Sequence, residues 1–401
     1  MKVLHINTTS NWGSTGRIAE EIGQYVRKSG GENYIIYGRY CNPSVSQAIK
    51  IGNKLDFYSH AIQTRILDNH GLASNIMTYK IINIIMQINP DIINLHNIHG
   101  YYLNYKILFH FLSNFNIPVV WTLHDCWAYT GHCVHYSYIK CYRWQTGCHH
   151  CPQKNRYPSS WFIDRSKQNY IDKKNVFTSL KNMVIVPVSN WLEGEVKKSF
   201  LNKYPIKVIH NGIDLKTFYP HKVLKKDLGL NDNFLILGVA NKWDERKGIN
   251  DFIHLRKILP QEYNIILIGL SQKQIDELPI GITGIKRTNN IKELAIFYSI
   301  ANVYINFSVE ETFGMTTCES IACGTPVIVY NSTACPEIVS SDTGYVVNPG
   351  NFEKIIKIIK EIKNKGKKQY LNACRQRAIQ YFNKEDAYNK YLSLYYHLLK
   401  S

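Results

Sequence analysis

The stretch Val309–Val329, VEETFGMTTCESIACGTPVIV, decides the reading of the whole chain. Immediately before it, Val303 to Phe307 (VYINF) has the β-branched and aromatic content of a buried parallel strand, and Pro326 to Tyr330 after it has the same. Between them Met315, Cys318, Ile321 and Ala322 recur at helical spacing, and Gly324 stands where a helix end needs a residue at positive φ. The unit is strand, loop, helix, strand. In open α/β sheets the loop after such a strand lies at the carboxyl edge, where ligands bind. The first amides of the helix, on Gly314, Met315 and Thr316, point at that edge and suit an anion. Glu311 and Glu319, with seven residues between them, stand at most roughly 12 Å apart at the rise of a helix. Carboxylates so spaced suit diols at the two ends of a molecule whose diphosphate rests on the amides.

The pair of glutamates, with Thr312-Phe313-Gly314 and Ala322-Cys323-Gly324-Thr325-Pro326 beside it, resembles the motif of retaining nucleotide-sugar glycosyltransferases of family four. More narrowly, it resembles the group 1 enzymes of bacterial surface polysaccharide synthesis, including the colanic-acid type with a cysteine-rich insertion. The resemblance implies an α/β chain of GT-B architecture: two Rossmann-like domains facing each other across a cleft, with a C-terminal helix crossing back to the first. It implies that Glu311 meets the donor sugar as a catalytic residue, that Glu319 meets the ribose, and that Phe313, Gly314, Met315 and Thr316 line the donor site.

Working outward, Val239 to Gly248 (VANKWDERKG) follows another strand. The family usually has an arginine and, five residues on, a lysine for the donor phosphates; this chain keeps Lys247 but has Lys242 at the arginine position. Lysine supplies charge without a bidentate fork, and Arg246 is placed to compensate. Further back, Leu235–Val239 and Ile265–Ile268 read as strands, with helices at 249–259 and 291–298. The turn His210-Asn211-Gly212-Ile213-Asp214, after a strand at 208–209, resembles the start of the family's second domain. The expected division is 1–205, 206–380 and a closing helix 381–401, with Tyr381, Tyr388, Leu392, Tyr395 and Leu399 as its apolar stripe.

In the first half, strands are expected at 3–7, 34–37, 91–95, 119–123 and 185–188, with helices over 58–67 and 79–88. The first strand runs into Ser10 to Arg17 (SNWGSTGR), a phosphate-type turn lacking a third glycine. The resemblance carries Gly13 over as donor-binding. Two further strands deliver His96, His99 and Tyr101, and then His124-Asp125, to one rim of one sheet; several histidines on one rim are more often a site than structure. The resemblance places a histidine after this strand close to the donor sugar, which makes His124 the catalytic candidate. His96, His99 and Tyr101 are expected to face the acceptor on rim position alone.

The insertion at 126–152 contains CWAYTGHCVHYSYIKCYRWQTGCHHC. Cys133, Cys141, Cys148 and Cys151 are separated by seven, six and two residues. A C-x2-C arm beside two more cysteines suits a structural tetrahedral zinc; packed thiols and redox activity are the alternatives. No cofactor is required for catalysis.

With 401 residues, 45% hydrophobic and 19% charged, the chain is globular and long enough for two cores. Its net charge of +18 divides as 21 minus 11 over residues 1–200 and 27 minus 19 over 201–401, so no basic tail carries it. Such a spread favours polyanions, among them a phosphorylated donor and the inner face of an anionic membrane. No apolar run reaches 18 residues, and the N-terminus has neither charged leader nor cleavage site. The chain is therefore expected in the cytoplasm, peripheral to the membrane at most. The expected partners are a nucleotide diphosphate sugar and a glycan or polyprenyl-linked acceptor, with no nucleic acid. The alternatives are a nucleotide-sugar epimerase on the same fold and a zinc-bearing nucleic-acid binder, which would leave Glu311 and Glu319 unexplained.

Overall fold

The computed structural model describes residues 1–400. They divide into two compact units, residues 1–210 with 388–400 and residues 211–387. Each is built on one six-stranded parallel sheet.

The sheet of the first unit contains β1 (Lys2–Asn7), β2 (Glu32–Tyr37), β3 (Gln47–Lys50), β4 (Ile92–Leu95), β5 (Val119–Leu123) and β6 (Met183–Pro187). Its order is β3-β2-β1-β4-β5-β6. That of the second contains β7 (Phe234–Val239), β8 (Tyr263–Ile268), β9 (Ile282–Ile285), β10 (Val303–Asn306), β11 (Val327–Tyr330) and β12 (Gly344–Val347), in the order β12-β11-β10-β7-β8-β9. Counted within each unit, both read 3-2-1-4-5-6, the doubly wound Rossmann order. The inner strands β4, β5, β10 and β11 are buried at every residue, as unbroken apolar runs in a two-sided sheet must be. In each sheet the direction of winding reverses between the first and fourth strands. That switch point falls between β1 and β4 in one unit and between β7 and β10 in the other, and ligands of such sheets bind outside it.

Several expected elements differ. Val208 and Ile209 form no strand; they run beside β6, with Lys207 N–H donating to Ile185 O at 3.0 Å and Ile209 N–H to Pro187 O at 3.2 Å. The two helices of the first half begin earlier, at Lys54 and Asn75, because Asn53 caps the first through the amides of Leu55 and Asp56. The C-terminal stretch is three helices, Phe352–Lys365, Lys368–Phe382 and Lys384–Leu398, and the last corresponds to the helix expected over 381–401. The last of these buries Tyr388, Tyr391, Leu394 and Tyr395, while Tyr381 and Leu399 of the expected stripe are exposed. Its tyrosines peg the sheet of the first unit: Asn94 Nδ2 on β4 donates to Tyr395 Oη at 2.7 Å, and Thr122 Oγ1 on β5 to Tyr391 Oη at 3.3 Å. These are the strands that deliver His96 and His124. Among the described residues no helix is long and apolar enough to cross a membrane.

Candidate active site

At the switch point of the second unit, the loop after β7 meets the loop after β10. Asp244 caps the short helical turn Glu245–Lys247 by accepting from Lys247 N–H. The turn ends at Gly248, φ +73°, where a Cβ would fall 2.4 Å from Phe307 Cβ. Only glycine combines that backbone with that approach. The approach brings Arg246 and Lys247 onto the motif loop: Arg246 donates to Glu310 O at 2.7 Å, Val309 N–H to Arg246 O at 2.9 Å, and Lys247 Nζ to the Glu311 carboxylate. Glu311 also accepts from Ser308 Oγ at 3.0 Å, and its N–H donates to Thr333 Oγ1 at 2.8 Å. Burial pushes Glu311 up, but the Lys247 and Arg246 charges and the hydrogen bonds outweigh it and hold the carboxyl below its ordinary range. Lys242 is exposed and takes no part in this junction.

Gly314, φ +108°, turns the chain into the helix Met315–Ala322, a backbone conformation that favours glycine. Met315 and Thr316 are half-exposed on the first turn, and Thr316 Oγ1 accepts from Tyr304 Oη at 2.8 Å. Glu319 is buried on the same helix and accepts from Tyr298 Oη at 2.9 Å. Phe313 packs against Phe382, with ring centroids 6.1 Å apart, so it supports the loop from behind. Ser308 and Tyr298 join the site only in three dimensions, for no spacing in the sequence marks them.

In the first unit three imidazoles line up across the switch point. His5 Nδ1 lies 3.0 Å from His96 Nε2, and His96 Nδ1 lies 3.0 Å from His124 Nε2. The rings stack at 5.2 and 5.3 Å. Burial pushes His5 down to about 3 and His124 to about 4, with Asp125 partly opposing the latter; burial also holds His96 well below the ordinary histidine value. All three are neutral at pH 7, each with one N–H. Asn33 partly opposes the shift of His5. In each of the two contacts one ring donates and the other accepts, so the protonation sites of the three neutral imidazoles are coupled.

His96 is therefore not an acceptor contact. Its ring is 1% exposed and both nitrogens are engaged by His5 and His124. His99 is likewise occupied: Nε2 pairs with Asp125 Oδ2 at 2.8 Å and Nδ1 with Tyr157 Oη at 3.2 Å. Burial raises Asp125, but His99 and the Trp127 amide outweigh that and bring it down to about 2. Tyr101, at φ +70°, is buried in an aromatic cage with His70 at 4.7 Å and Phe57 at 5.4 Å. A bulky side chain in that conformation is strained and is held by the packing around it. Gly13, φ +66°, opens the helix Gly13–Lys28 and is exposed.

Two parallel sheets, each with polar residues gathered at its switch point, define the doubly wound Rossmann class of ligand-binding fold, and solved structures agree on the fold. Sucrose-phosphate synthase from Thermosynechococcus elongatus superposes over 100% of this chain and 99% of its own, with a TM-score of 0.75 at 17% identity. HepE from Anabaena, in complex with UDP and glucose, does so over 98% and 99%, with a TM-score of 0.69 at 15% identity. Residues 15–217 match the model of Glycosyltransferase Family 4 and residues 221–381 that of Glycosyl transferases group 1, so the chain belongs to glycosyltransferase family 4. Among curated relatives, the O-antigen chain mannosyltransferase RfbU of Salmonella typhimurium is 27% identical over 61% of this chain and 71% of its own. Others align over little more than half of their own length, 56% in two cases. Family membership leaves the epimerase and nucleic-acid readings without support.

Proposed function

We propose that this protein is a retaining glycosyltransferase that moves a hexose from a nucleoside diphosphate sugar to a glycan or polyprenyl-linked glycan during synthesis of a bacterial surface polysaccharide. The observation that carries this reading is the Lys247–Glu311 junction beside a glycine-turned helix N-terminus at a Rossmann switch point. Lys247, Arg246 and the amides of Gly314 to Thr316 receive the diphosphate, where helix and cations supply matching charge. Glu319, steadied by Tyr298, takes the ribose hydroxyls. Glu311 takes the sugar hydroxyls once Lys247 turns to the phosphates. Lys242 supplies only long-range charge.

Retention requires that the acceptor arrive on the face the diphosphate leaves, through an oxocarbenium-like centre whose charge must be stabilised. No carboxylate is assigned as a nucleophile. The departing diphosphate takes the acceptor proton, and His124, a neutral imidazole, meets the sugar as charge develops on it. RfbU, named a mannosyltransferase of the O-antigen chain, and HepE with UDP and glucose support the substrate class. A panel of nucleotide sugars should contain one that raises the melting temperature, because a ligand of the folded state stabilises it by mass action. If no nucleoside diphosphate sugar shifts it, the reading fails.

A surface of the first unit supports work on a lipid-linked acceptor at the inner face of an anionic membrane. Along the helix Lys54–Leu67, Leu55, Tyr58, Ile62 and Ile66 are exposed at helical spacing, Leu55 by 78%. The stripe continues onto Trp161 and Phe162, since Trp161 N–H donates to Arg65 O at 2.7 Å and the Arg65 guanidinium lies 5.4 Å from the Trp161 ring. Exposed Lys54 and Arg65 stand on the same helix. Apolar residues framed by cations suit an anionic bilayer. The protein should float with vesicles containing anionic lipid, less so at high salt and less still as Leu55→Glu with Phe162→Glu. Equal behaviour of wild type and the double variant would remove this surface from the proposal.

A further inference from the structure

Outside the transfer site, the insertion that follows Asp125 gathers chemistry the reaction does not use. Cys133, Cys141, Cys148 and Cys151 line a single pocket together with His132 and Trp144, although they are spread over 19 residues of chain. The Cys133 and Cys151 thiols share a hydrogen bond, and Cys148 Sγ accepts from Gly131 N–H at 3.1 Å. Among the described residues no three Cys, His, Asp or Glu groups stand in a finished coordination shell. The thiols share a pocket but are not drawn in around one point.

Two further observations indicate what the pocket receives. His132 is 2% exposed, and its Nδ1 pairs with Asp68 Oδ1 at 2.7 Å. Asp68 is itself fully buried and accepts from Arg165 N–H at 2.7 Å. The Nε2 of His132 has no hydrogen-bond partner, although the ring lines the pocket. A buried imidazole fixed by a carboxylate on one nitrogen and unsatisfied on the other belongs beside a metal centre, as ligand or as a donor to a metal-bound thiolate. The second is the donor set itself: four thiols, two of them on a C-x2-C arm, line one pocket, and thiolate is the ligand a tetrahedral zinc takes. Lys173 lies beside it, held by Trp127 O at 2.7 Å and Thr130 O at 3.0 Å and over the Trp127 ring at 3.5 Å.

We propose that this pocket is a structural zinc site held by the thiolates of Cys133, Cys141, Cys148 and Cys151, with the Asp68-anchored imidazole of His132 donating to them from the wall. Four protein ligands leave no open position, so the metal folds the insertion rather than taking part in transfer. Binding expels the thiol protons to solvent and leaves the sulfurs as thiolates; no redox step is involved. The beneficiary is the strand end: Lys173 grips Trp127 O, and the Trp127 amide donates to Asp125 Oδ1 at 2.9 Å. Asp125 in turn orients His99.

Elemental analysis of protein made without a metal-affinity tag, under reducing conditions in zinc-supplemented medium, should find one zinc per chain. Replacing zinc by cobalt(II) should give the charge-transfer absorption of a tetrahedral thiolate site. Cys148→Ser should lose the metal and Cys41→Ser, outside the pocket, should keep it. If Cys148→Ser does not fold, zinc release from the wild type by a mercurial thiol reagent, followed with a metal-indicator dye, serves instead. Folded wild type that contains no zinc and takes up none on titration overturns the proposal. So does a Cys133–Cys151 disulfide in the mass spectrum of unreduced protein. Loss of zinc in His132→Ala with retention in Cys141→Ser would overturn the four-thiolate set in favour of three thiolates and His132.

Discussion

Lys247 donates to the Glu311 carboxylate across 64 residues of sequence, so the cation expected to meet the donor phosphates is held by the carboxylate expected to meet the donor sugar. The pair is largely buried, with the two side chains 18% and 14% exposed. Lys247→Ala should therefore act twice, removing a phosphate contact and the nearest counter-charge of Glu311, with Arg246 and Ser308 left beside it. The expected loss of nucleoside diphosphate affinity is about 1–3 kcal/mol, the range for a hydrogen bond to a charged group. Isothermal calorimetry reads it directly. If the Lys247→Ala protein binds as tightly as the wild type, the phosphates lie elsewhere.

Glu319→Ala should weaken the free nucleotide by a similar ~1–3 kcal/mol, because the ribose loses a charged acceptor. Tyr298→Phe should cost less, since it removes one donor to Glu319 and leaves the carboxylate in place. Glu311→Ala should instead lower turnover and sugar discrimination more than nucleotide affinity. Comparing the nucleoside diphosphate with its sugar conjugate separates the two glutamates. Equal losses for both ligands in Glu311→Ala would remove it from the sugar end.

Much of this site could be read along the chain, because it rests on local order. The strand before Glu311, the turn at Gly314 and the helix carrying Glu319 are consecutive, and buried parallel strands announce themselves as apolar runs. Edge strands did not: β3 (QAIK) and β9 (ITGI) are short, part-exposed and poor in the residues that mark a strand. Partnerships across the fold were hidden for a different reason. Nothing in the sequence couples His5 to His96, 91 positions on, or Asp68 to His132; parallel topology sets them side by side. Rim position correctly grouped the histidines, but could not distinguish a ring that faces outward from one sandwiched between two others.

Stability should fall as pH is lowered from 6.5 toward 4. His5, His60 and His124 are depressed by burial to about 3, 3 and 4, and His70 and His96 lie well below 6.5 for the same reason. The unfolded chain takes up protons near 6.5 and the folded chain does not, so the unfolded state binds more protons throughout this window. Stability therefore rises with pH there; the contribution is complete above 6.5 and is lost on descent through the folded values. Each such proton is worth about 1.4 kcal/mol per pH unit. Urea unfolding at pH 7 and pH 5 should show a clear drop in midpoint. An unchanged midpoint would mean that these rings are solvated in the folded protein.

His124→Ala should cut turnover by about 10²-fold or more while leaving nucleotide affinity nearly intact, since the proposed nucleotide contacts belong to residues 246–319 of the second unit. The loss should fall equally on kcat and kcat/KM, because an imidazole that meets the sugar as charge develops acts in the transition state and not in the ground state. His96→Gln tests the stack behind it. Glutamine keeps a donor and an acceptor but not the paired ring geometry, so the rate should drop by less than in His124→Ala. Transfer from an α-linked donor should give an α-linked product by NMR in wild type and in any residual activity of the variants, because stereochemistry follows from the face of attack and not from this residue. A β-linked product would overturn the retaining assignment, and normal turnover in His124→Ala would move the catalytic role to another group at the carboxyl ends of β1, β4 and β5.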